Sequence, residues 1–290
     1  MDSSIILIFI SLATFLILSV PIGIAIGLCV AVGIVFGDIL PSEFLIQKMF
    51  TSLDVFPLMA VPFFIMAGEI MQKGSMAQRL LEVSRALVGH ITGGMAHISV
   101  LTSLFYGALS GSSPATVAAV GGIMVPSMVK EGYSRSFATA VNTSAGSLGV
   151  IIPPSVPLII YGTTAGASVG DLFIAGIIPG LIIGVFLMVC SYILARKYGY
   201  TGSGKRASFR EILTAFKNSI SALMVPIIVL GGIYGGFTTP TEAGVIAVVY
   251  AFIVEGAILR TLSFEKIWLI LRGTALTTSS IFLVVATATA

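Results

Sequence analysis

The sequence predicts an all-α polytopic membrane protein, and three observations support this fold class. Of the 290 residues, 57% are hydrophobic and 9% are charged, whereas a soluble domain carries about 25% charged residues. Apolar stretches close to the length of about 17–25 residues that a membrane helix needs recur along the whole chain. Two of these stretches contain helix-breaking residues near their centres. A soluble protein is therefore excluded, and the lipid bilayer is the first expected partner.

The predicted elements follow these apolar stretches in order. Residues 76–88 are amphipathic, which predicts a helix lying along the membrane surface. Residues 37–53 and 196–217 are predicted to be polar connections. The predicted membrane-spanning segments are 4–19, 22–36, 54–72, 136–165, 171–195, 218–235, 240–259 and 273–290.

The distribution of charge predicts that residues 93–128 form a re-entrant hairpin. Lys and Arg concentrate in cytoplasmic loops, and the basic segments of this chain can share one side only if 93–128 enters the membrane and returns. Each arm has about 15 residues, or about 22 Å at 1.5 Å per residue, which is shorter than the hydrocarbon core of about 30 Å. The tip, Leu109–Pro114, reads LSGSSP and is predicted to lie near the bilayer midplane. The basic segments are 73–92, 129–135, 196–217 and 260–272.

A second break is predicted within residues 136–165, where Pro153, Pro154 and Pro157 cannot continue a regular helix. Secondary transporters use half-helix ends and unwound carbonyls of this kind to hold cations and anionic substrates. The tip at 109–114 and the segment 136–165 contain no charged residue and no histidine. Because hydroxyls and carbonyls suit a hard cation, and a proton-coupled site usually needs a titratable group, the pattern favours sodium coupling.

The acidic residues of the apolar segments lie nearer their ends, and we expect them to be interfacial or locally paired rather than part of a proton relay. They are Glu69, Asp171, Glu242 and Glu255.

Two motifs suggest enzymes, but neither is complete. Residues 199–206, GYTGSGKR, approach a phosphate-binding loop, yet Arg206 stands where the Mg²⁺-binding hydroxyl should be. Ser110 within ALSG suggests an intramembrane protease, but no base is placed to activate it. The sequence therefore predicts a protein that is not an enzyme and has no bound cofactor apart from the coupling ion.

The two ends of the chain are similar to each other. SVPIGIAIGLCVAVGIVFGDIL (19–40) and TTPTEAGVIAVVYAFIVEGAIL (238–259) place Pro21 and Pro240 at equivalent positions. The first set has an odd number of crossings, which predicts an inverted-topology repeat. Position 290 corresponds to position 71 of the first set, so we expect the second repeat to be truncated, with roughly 125 residues lacking.

On this pattern we divide the chain into four parts. They are the first-repeat scaffold with an interfacial arm helix, the hairpin with the broken helix, the last span of the first repeat with a cytoplasmic linker, and the incomplete second repeat. Their boundaries are 1–92, 93–165, 166–217 and 218–290.

Five motifs spread over nearly the whole chain resemble the large membrane subunit, DctM type, of tripartite ATP-independent periplasmic (TRAP) transporters. The resemblance implies an elevator-type, Na⁺-driven symporter that imports an organic acid, such as sialic acid or a C4-dicarboxylate, across a bacterial inner membrane. It implies two protein partners, a small DctQ-type membrane subunit and a periplasmic substrate-binding protein, and no nucleic acid. The motifs are VPFFIMAGEIM (61–71), GALSGSSPATVAAVGGIMVP (107–126), GVIIPPSVPLIIYG (149–162), FIAGIIPG (173–180) and GGIYGGFTTPTEAG (231–244).

The resemblance also implies which residues bind the ion and the substrate. The Na⁺ ligands would be backbone or hydroxyl groups of Gly107, Ser110, Gly149, Ile152 and Pro154. The residues near the carboxylate substrate would be Ser112, Ser113, Asn142 and Thr143. Two alternatives stay open: a Na⁺/dicarboxylate symporter that needs no binding protein and, from a different class, a channel or scaffold subunit that transports nothing itself.

Overall fold

The computed structural model describes residues 3–37 and 41–289, and within these ranges the regular structure is entirely helical. A 3₁₀ turn, Phe56–Met59, precedes α4, and π-helical turns, Val117–Gly121 and Ile253–Ile258, follow α7 and α14. The helices are α1 (Ser3–Ile17), α2 (Ile22–Gly37), α3 (Ser42–Leu53), α4 (Ala60–Lys73), α5 (Met76–Val88), α6 (Gly94–Ser110), α7 (Ser113–Thr116), α8 (Gly122–Lys130), α9 (Arg135–Gly146), α10 (Leu148–Ile151), α11 (Val156–Ala165), α12 (Val169–Tyr198), α13 (Phe209–Tyr234), α14 (Pro240–Phe252) and α15 (Phe264–Ala288).

The helices have the lengths and composition of a multi-pass membrane protein, which confirms the predicted fold class at this level. Two bent helix pairs could each form one further span, one bent by 66° and the other by 42°. Two shorter apolar helices, Ile5–Ile17 and Ile22–Phe36, precede them. The helices long and apolar enough to cross a membrane are Val169–Tyr198, Phe209–Tyr234, Pro240–Ile258 and Phe264–Ala288.

Three predicted boundaries were wrong, and all for one reason. Within the predicted connection 37–53, residues 42–53 form α3; residues 38–40 lie outside the described residues. The predicted linker 196–217 is only about half as long, because α13 already begins at Phe209. Helix α15 begins at Phe264 instead of 273. Each added stretch is a helix that mixes charged and apolar residues, which lowers its mean hydropathy without disfavouring the helix.

Segment 93–134 begins and ends at the same point of the structure, which is the geometry of a hairpin. At its start, the Gly93 N–H donates to the Tyr200 carbonyl at 3.2 Å. At its end, the Ser134 N–H donates to the Tyr200 hydroxyl at 3.0 Å, and the Tyr133 ring stacks on the Tyr200 ring with centroids 4.2 Å apart. Helix α6 and the returning segment α7–α8 are therefore the two arms of one hairpin, with its base at Tyr200.

The remaining helices pack in pairs that a two-fold relation would produce. The repeat alignment equates α2 with α14 and α4 with α15, and the structure packs α2 on α15 and α4 on α14. Both contacts are close: a Cβ at Gly23 would lie 3.2 Å from Leu283, and one at Gly244 would lie 3.1 Å from Phe63. We call α1, α2, α4, α13, α14 and α15 the scaffold helices.

The contacts of Tyr200 make the hairpin base testable. Replacing Tyr200 with Ala removes the ring stack and the hydroxyl that accepts from Ser134, so we expect about tenfold faster amide hydrogen exchange over residues 93–97 and 131–135. The matched control is Tyr198→Ala, because Tyr198 belongs to the same aromatic cluster but is 58% exposed. Equal exchange in the two variants would show that Tyr200 does not hold the base.

Candidate functional site

The two breaks in the helices meet, and their backbones touch. The Val156 N–H donates to the Gly111 carbonyl at 3.1 Å. A Cβ at Gly107 would lie 3.0 Å from the Gly149 Cα, and one at Gly111 would lie 2.7 Å from the Pro154 carbonyl oxygen. Gly111 also has a φ of +59°, a conformation in which glycine avoids the Cβ penalty. The close approach therefore depends on glycine at these positions.

Both breaks restart with the same capping pattern. In Ser112-Ser113-Pro114-Ala115 the Ser112 Oγ accepts from the Ala115 N–H at 3.5 Å. In Ser155-Val156-Pro157-Leu158 the Ser155 Oγ accepts from the Leu158 N–H at 3.4 Å. Serine is a preferred N-cap, and proline fits the first turn that follows it. The crossing thus brings together the C-termini of α6 and α10 and the N-termini of α7 and α11. Each helix end contributes its partial charge.

Oxygen atoms of the hairpin tip form a compact buried cluster. The Ser110 and Thr116 hydroxyls lie 3.0 Å apart, and Thr116 Oγ1 donates to the Ser112 carbonyl at 2.8 Å. Gly149 closes the cluster from the broken helix, since a Cβ there would lie 2.3 Å from Thr116 Oγ1 and 2.7 Å from the Ser112 oxygen. Ser110 is 1% exposed and Thr116 is 0% exposed. Chemically, this is a set of neutral oxygen donors of the type that hard cations prefer.

The structure brings together all five predicted ion-site residues and the backbone of Ser112. Gly107 and Ser110 belong to the end of α6, and Gly149 packs on Gly107. Ile152 ends α10, with its N–H donating to the Leu148 carbonyl at 2.9 Å, and the Pro154 carbonyl faces Gly111. Whether these groups bind an ion stays a prediction, but the residues share one location.

Two of the predicted substrate residues lie elsewhere. The Asn142 side chain is 2% exposed; its Oδ1 accepts from Ser99 Oγ at 2.6 Å and its Nδ2 donates to the Ala138 carbonyl at 2.8 Å. Thr143 is exposed and lines a separate shallow depression beside Arg135. Successive residues of a helix point about 100° apart, so the run of polar residues in α9 does not share one face. Asn142 instead ties α9 to α6.

The hairpin tip borders a cavity of about 730 Å³ between the two breaks and the scaffold helices α4 and α15. Ser110, Gly111 and Ser112 line it from the hairpin. The tip rests directly on α4, because a Cβ at Gly68 would lie 3.2 Å from the Ser110 Cα. Ser113 is half-buried behind this surface, with its carbonyl oxygen 3.5 Å from where a Gly146 Cβ would be.

Glu69 is a charged residue that lines this cavity from the scaffold. It lines the cavity next to Gly68, and its carboxylate lies against Gly273 of α15, at 3.2 Å from the position of a Cβ there. Lys73, one turn further along α4, lines the same cavity. The cavity therefore has one wall of neutral oxygens on the hairpin and another wall with charged groups on the scaffold.

Thr116 is a site residue that the sequence analysis missed. Its hydroxyl lies 3.0 Å from that of Ser110 and donates to the Ser112 carbonyl at 2.8 Å, but the sequence places it within an ordinary helical stretch after the tip. A signal was available: Ser112 and Thr116 are four residues apart, the spacing at which a threonine hydroxyl reaches back to a carbonyl of the preceding turn. The π-helical turn Val117–Gly121 that follows Thr116 is also a feature common at functional sites, but it could not be read from the sequence.

These features define a multi-pass membrane protein in which two interrupted helices meet in the interior, the architecture typical of secondary transporters. Residues 9–290 match the model of the family "Tripartite ATP-independent periplasmic transporter, DctM component". The chain belongs to this DctM family, and the predicted resemblance is confirmed. The family consists of transporter components, which agrees with the prediction that the protein is not an enzyme.

This chain is similar to several TRAP transporter proteins whose names contain different compounds. It is 45% identical over 251 residues to the isethionate TRAP transporter permease protein DctMQ of Oleidesulfovibrio alaskensis (87% of this chain, 40% of that protein). It is 37% identical over 286 residues to the C4-dicarboxylate TRAP transporter large permease protein DctM of Rhodobacter capsulatus (94% and 65%). It is 41% identical over 251 residues to the ectoine TRAP transporter large permease protein TeaC of Halomonas elongata (87% and 58%). The chain thus spans 40% to 65% of the length of these relatives.

The contact at Gly149 gives a direct test of the crossing. In Gly149→Ala the new methyl group would overlap the Thr116 hydroxyl, so we expect the free energy of unfolding to fall by about 2 kcal/mol, a typical cost of overpacking. Gly122→Ala is the matched control, because no heavy atom lies within 4 Å of the added Cβ. Denaturant unfolding of the detergent-solubilised protein measures both variants. A Gly149→Ala protein as stable as Gly122→Ala would contradict the close approach.

Proposed function

We propose that this chain forms the hairpin-bearing part of the large permease subunit of a TRAP transporter, a Na⁺-coupled importer of an organic acid. The observation that carries the proposal is the crossing of the two breaks at Gly111 and Val156, with the buried hydroxyls of Ser110 and Thr116 beside it. Family membership supports the same assignment.

Sodium is the proposed coupling ion because of the chemistry of the tip. The cluster offers neutral oxygens, and the C-termini of α6 and α10 add partial negative charge. Gly107, Ser110, Gly149, Ile152 and Pro154 remain the proposed ligands, and we add Thr116 to them. Glu69 lines the cavity but takes no part in the hydrogen bonds of the oxygen cluster, so we assign it no part in ion coupling.

The proposed substrate is a small organic anion held in the cavity beside Ser112. The N-termini that follow Ser112 and Ser155 carry partial positive charge, which favours a carboxylate or a similar anionic group. Isethionate and C4-dicarboxylates, for which two relatives are named, are both small organic anions. Sialic acid belongs to the same chemical class. Of the predicted substrate residues only Ser112 lines the cavity, and we retain it together with its neighbour Ser113. Asn142 is buried against α6, and Thr143 lines a separate depression.

An elevator movement is the proposed mechanism. The hairpin and the broken helix are held together by backbone contacts, whereas the tip meets the scaffold at Gly68 across a cavity. This division favours a transport unit, α6–α11, that moves against the scaffold helices, with α5 as an arm between them. The location would be a bacterial inner membrane. The partners would be a small DctQ-type membrane subunit and a periplasmic binding protein that delivers the substrate.

Uptake into proteoliposomes tests the function as a whole. The large permease subunit to which this chain is proposed to belong is reconstituted with the small subunit, and uptake of a panel of labelled organic acids is measured with and without a Na⁺ gradient and with and without the binding protein. We expect uptake only when both the gradient and the binding protein are present. Uptake without the binding protein would favour an autonomous Na⁺/dicarboxylate symporter. Binding of the partner subunits without any uptake would favour a scaffold subunit.

The ion site can be tested separately from transport. We expect Na⁺, but not choline at the same ionic strength, to slow amide hydrogen exchange over residues 107–116 and 148–156 in lipid nanodiscs. In Thr116→Val the lost hydroxyl should weaken this effect, raising the half-maximal Na⁺ concentration about fivefold, which corresponds to about 1 kcal/mol for one hydrogen-bonding group. Ser110→Ala should behave in the same way.

Thr164→Val is the matched control for the Na⁺ titration. Thr164 is exposed, and its hydroxyl only donates to the Ile160 carbonyl of its own helix at 2.8 Å. If Thr116→Val and Ser110→Ala both titrate like Thr164→Val, the proposed ion site is wrong.

A further inference from the structure

Glu255 is a fully buried carboxylate outside the proposed transport site. It lies in the π-helical turn at the end of α14 and is 0% exposed. Its Oε1 accepts from the Ser75 N–H at 2.7 Å and from the Met76 N–H at 2.8 Å. Its Oε2 accepts from the Ser75 hydroxyl at 3.3 Å and also from the Thr261 hydroxyl. Every polar contact of the side chain is therefore a hydrogen bond that a carboxylate can accept.

These contacts make Glu255 the N-terminal cap of α5. The first N–H groups of a helix have no partner within that helix, and a side chain of the N-cap residue normally accepts from one of them. Ser75, the N-cap residue of α5, makes no such bond with its own side chain. The carboxylate of a residue 180 positions away takes this role, and its negative charge suits the partial positive charge of the helix end.

Gly74, the residue before the N-cap of α5, leaves space for this carboxylate. A Cβ at Gly74 would lie 2.2 Å from the Glu255 Cδ, a distance that real Cβ atoms do not reach. Gly74 therefore allows the carboxyl group to approach the start of α5. Gly74 and Glu255 are therefore complementary in shape at this contact.

The capped corner joins four elements. Helix α4 ends at Lys73 and α5 begins at Met76, while Glu255 belongs to the end of α14. The loop before α15 is attached as well, because the Thr261 N–H donates to the Glu255 carbonyl at 2.8 Å and Lys266 Nζ donates to the Thr261 carbonyl at 2.9 Å. Gly68, on which the hairpin tip rests, lies less than two turns before this corner.

We propose that Glu255 is a positioning residue, which fixes the α4–α5 corner and through it both the start of the arm helix and the cavity wall at Gly68. The structural role of Glu255 at the corner does not depend on the proposed function, whereas its effect on transport rests on that function. Removal of the carboxylate leaves the N–H groups of Ser75 and Met76 without a partner in a buried corner, whereas the matching amide of glutamine still accepts from them through its oxygen.

Amide hydrogen exchange of the full chain in nanodiscs tests the corner. In Glu255→Ala we expect residues 74–80 to exchange about tenfold faster, while residues 98–108 of the hairpin keep their protection. In Glu255→Gln most of the protection should return. Glu265→Gln is the control, because Glu265 is an exposed acid in the first turn of α15, and its exchange pattern should equal that of the unaltered protein.

Unchanged exchange of residues 74–80 in Glu255→Ala would overturn the proposal, and so would a uniform loss of protection across the chain. If Glu255→Ala does not yield folded protein, the Gly74→Ala variant tests the proposal instead. Its added methyl group displaces the same carboxylate and should give the same local loss of exchange protection. A Gly74→Ala protein with full protection at 74–80 would overturn the proposal equally.

The effect on transport has its own readout. In the reconstituted complex, Glu255→Ala should lower the maximal uptake rate severalfold and leave the half-saturating Na⁺ concentration unchanged, since the tip hydroxyls are untouched, and Glu255→Gln should restore the rate. A shift in the half-saturating Na⁺ concentration would overturn the positioning role. If the unaltered protein shows no uptake, it is the proposed function that fails, and the exchange measurements still decide the role of Glu255.

Discussion

The structure depends on a backbone-to-backbone contact between two interrupted helices. Interrupted helices within an apolar protein leave N–H and C=O groups that lipid cannot satisfy. Here the Gly111 carbonyl accepts from the Val156 N–H, and serine caps satisfy the next donors on both sides. The contact forms because Gly107 and Gly149 have no side chains. The oxygen cluster and the cavity both lie beside this contact, and their positions depend on it.

The packing of the scaffold helices provides the second constraint. Helices α2 and α15 pack together, as do α14 and α4, and one helix of each pair, α15 and α4, lines the cavity at the hairpin tip. Helix α4 then serves two purposes. Its middle carries Gly68, which meets the tip, and its end leads into the corner capped by Glu255. The same helix thus connects the proposed site to the corner at which Glu255 caps α5.

Much of this arrangement could be predicted from local patterns. The short arms and the distribution of basic residues predict a hairpin, and the prolines at 153, 154 and 157 predict a broken helix, because both depend on properties of nearby residues. The glycine at 149 and the serine at 110 followed from the family resemblance. What these patterns could not predict were helices in mixed sequence, such as α3, and the directions in which polar residues of α9 point.

Contacts between distant segments were the other part that the sequence could not predict. Thr116 joins the cluster because Gly149 of another segment packs on it. Glu69 lines the cavity because α15 passes beside it. Glu255 was expected to be interfacial or locally paired, but it is fully buried and accepts hydrogen bonds mainly from residues 179 and 180 positions away. Without the three-dimensional arrangement, an acidic residue near the end of an apolar helix gives no indication of such a partner.

The capping of α5 by Glu255 has a consequence for the order of events during synthesis. The ribosome polymerises Glu255 180 residues after Ser75, which at about 5–20 residues per second is a delay of roughly 10–40 s. During this interval α5 lacks this cap. Capping of the helix by Glu255 is therefore a late step, which takes place only after α14 has been synthesised.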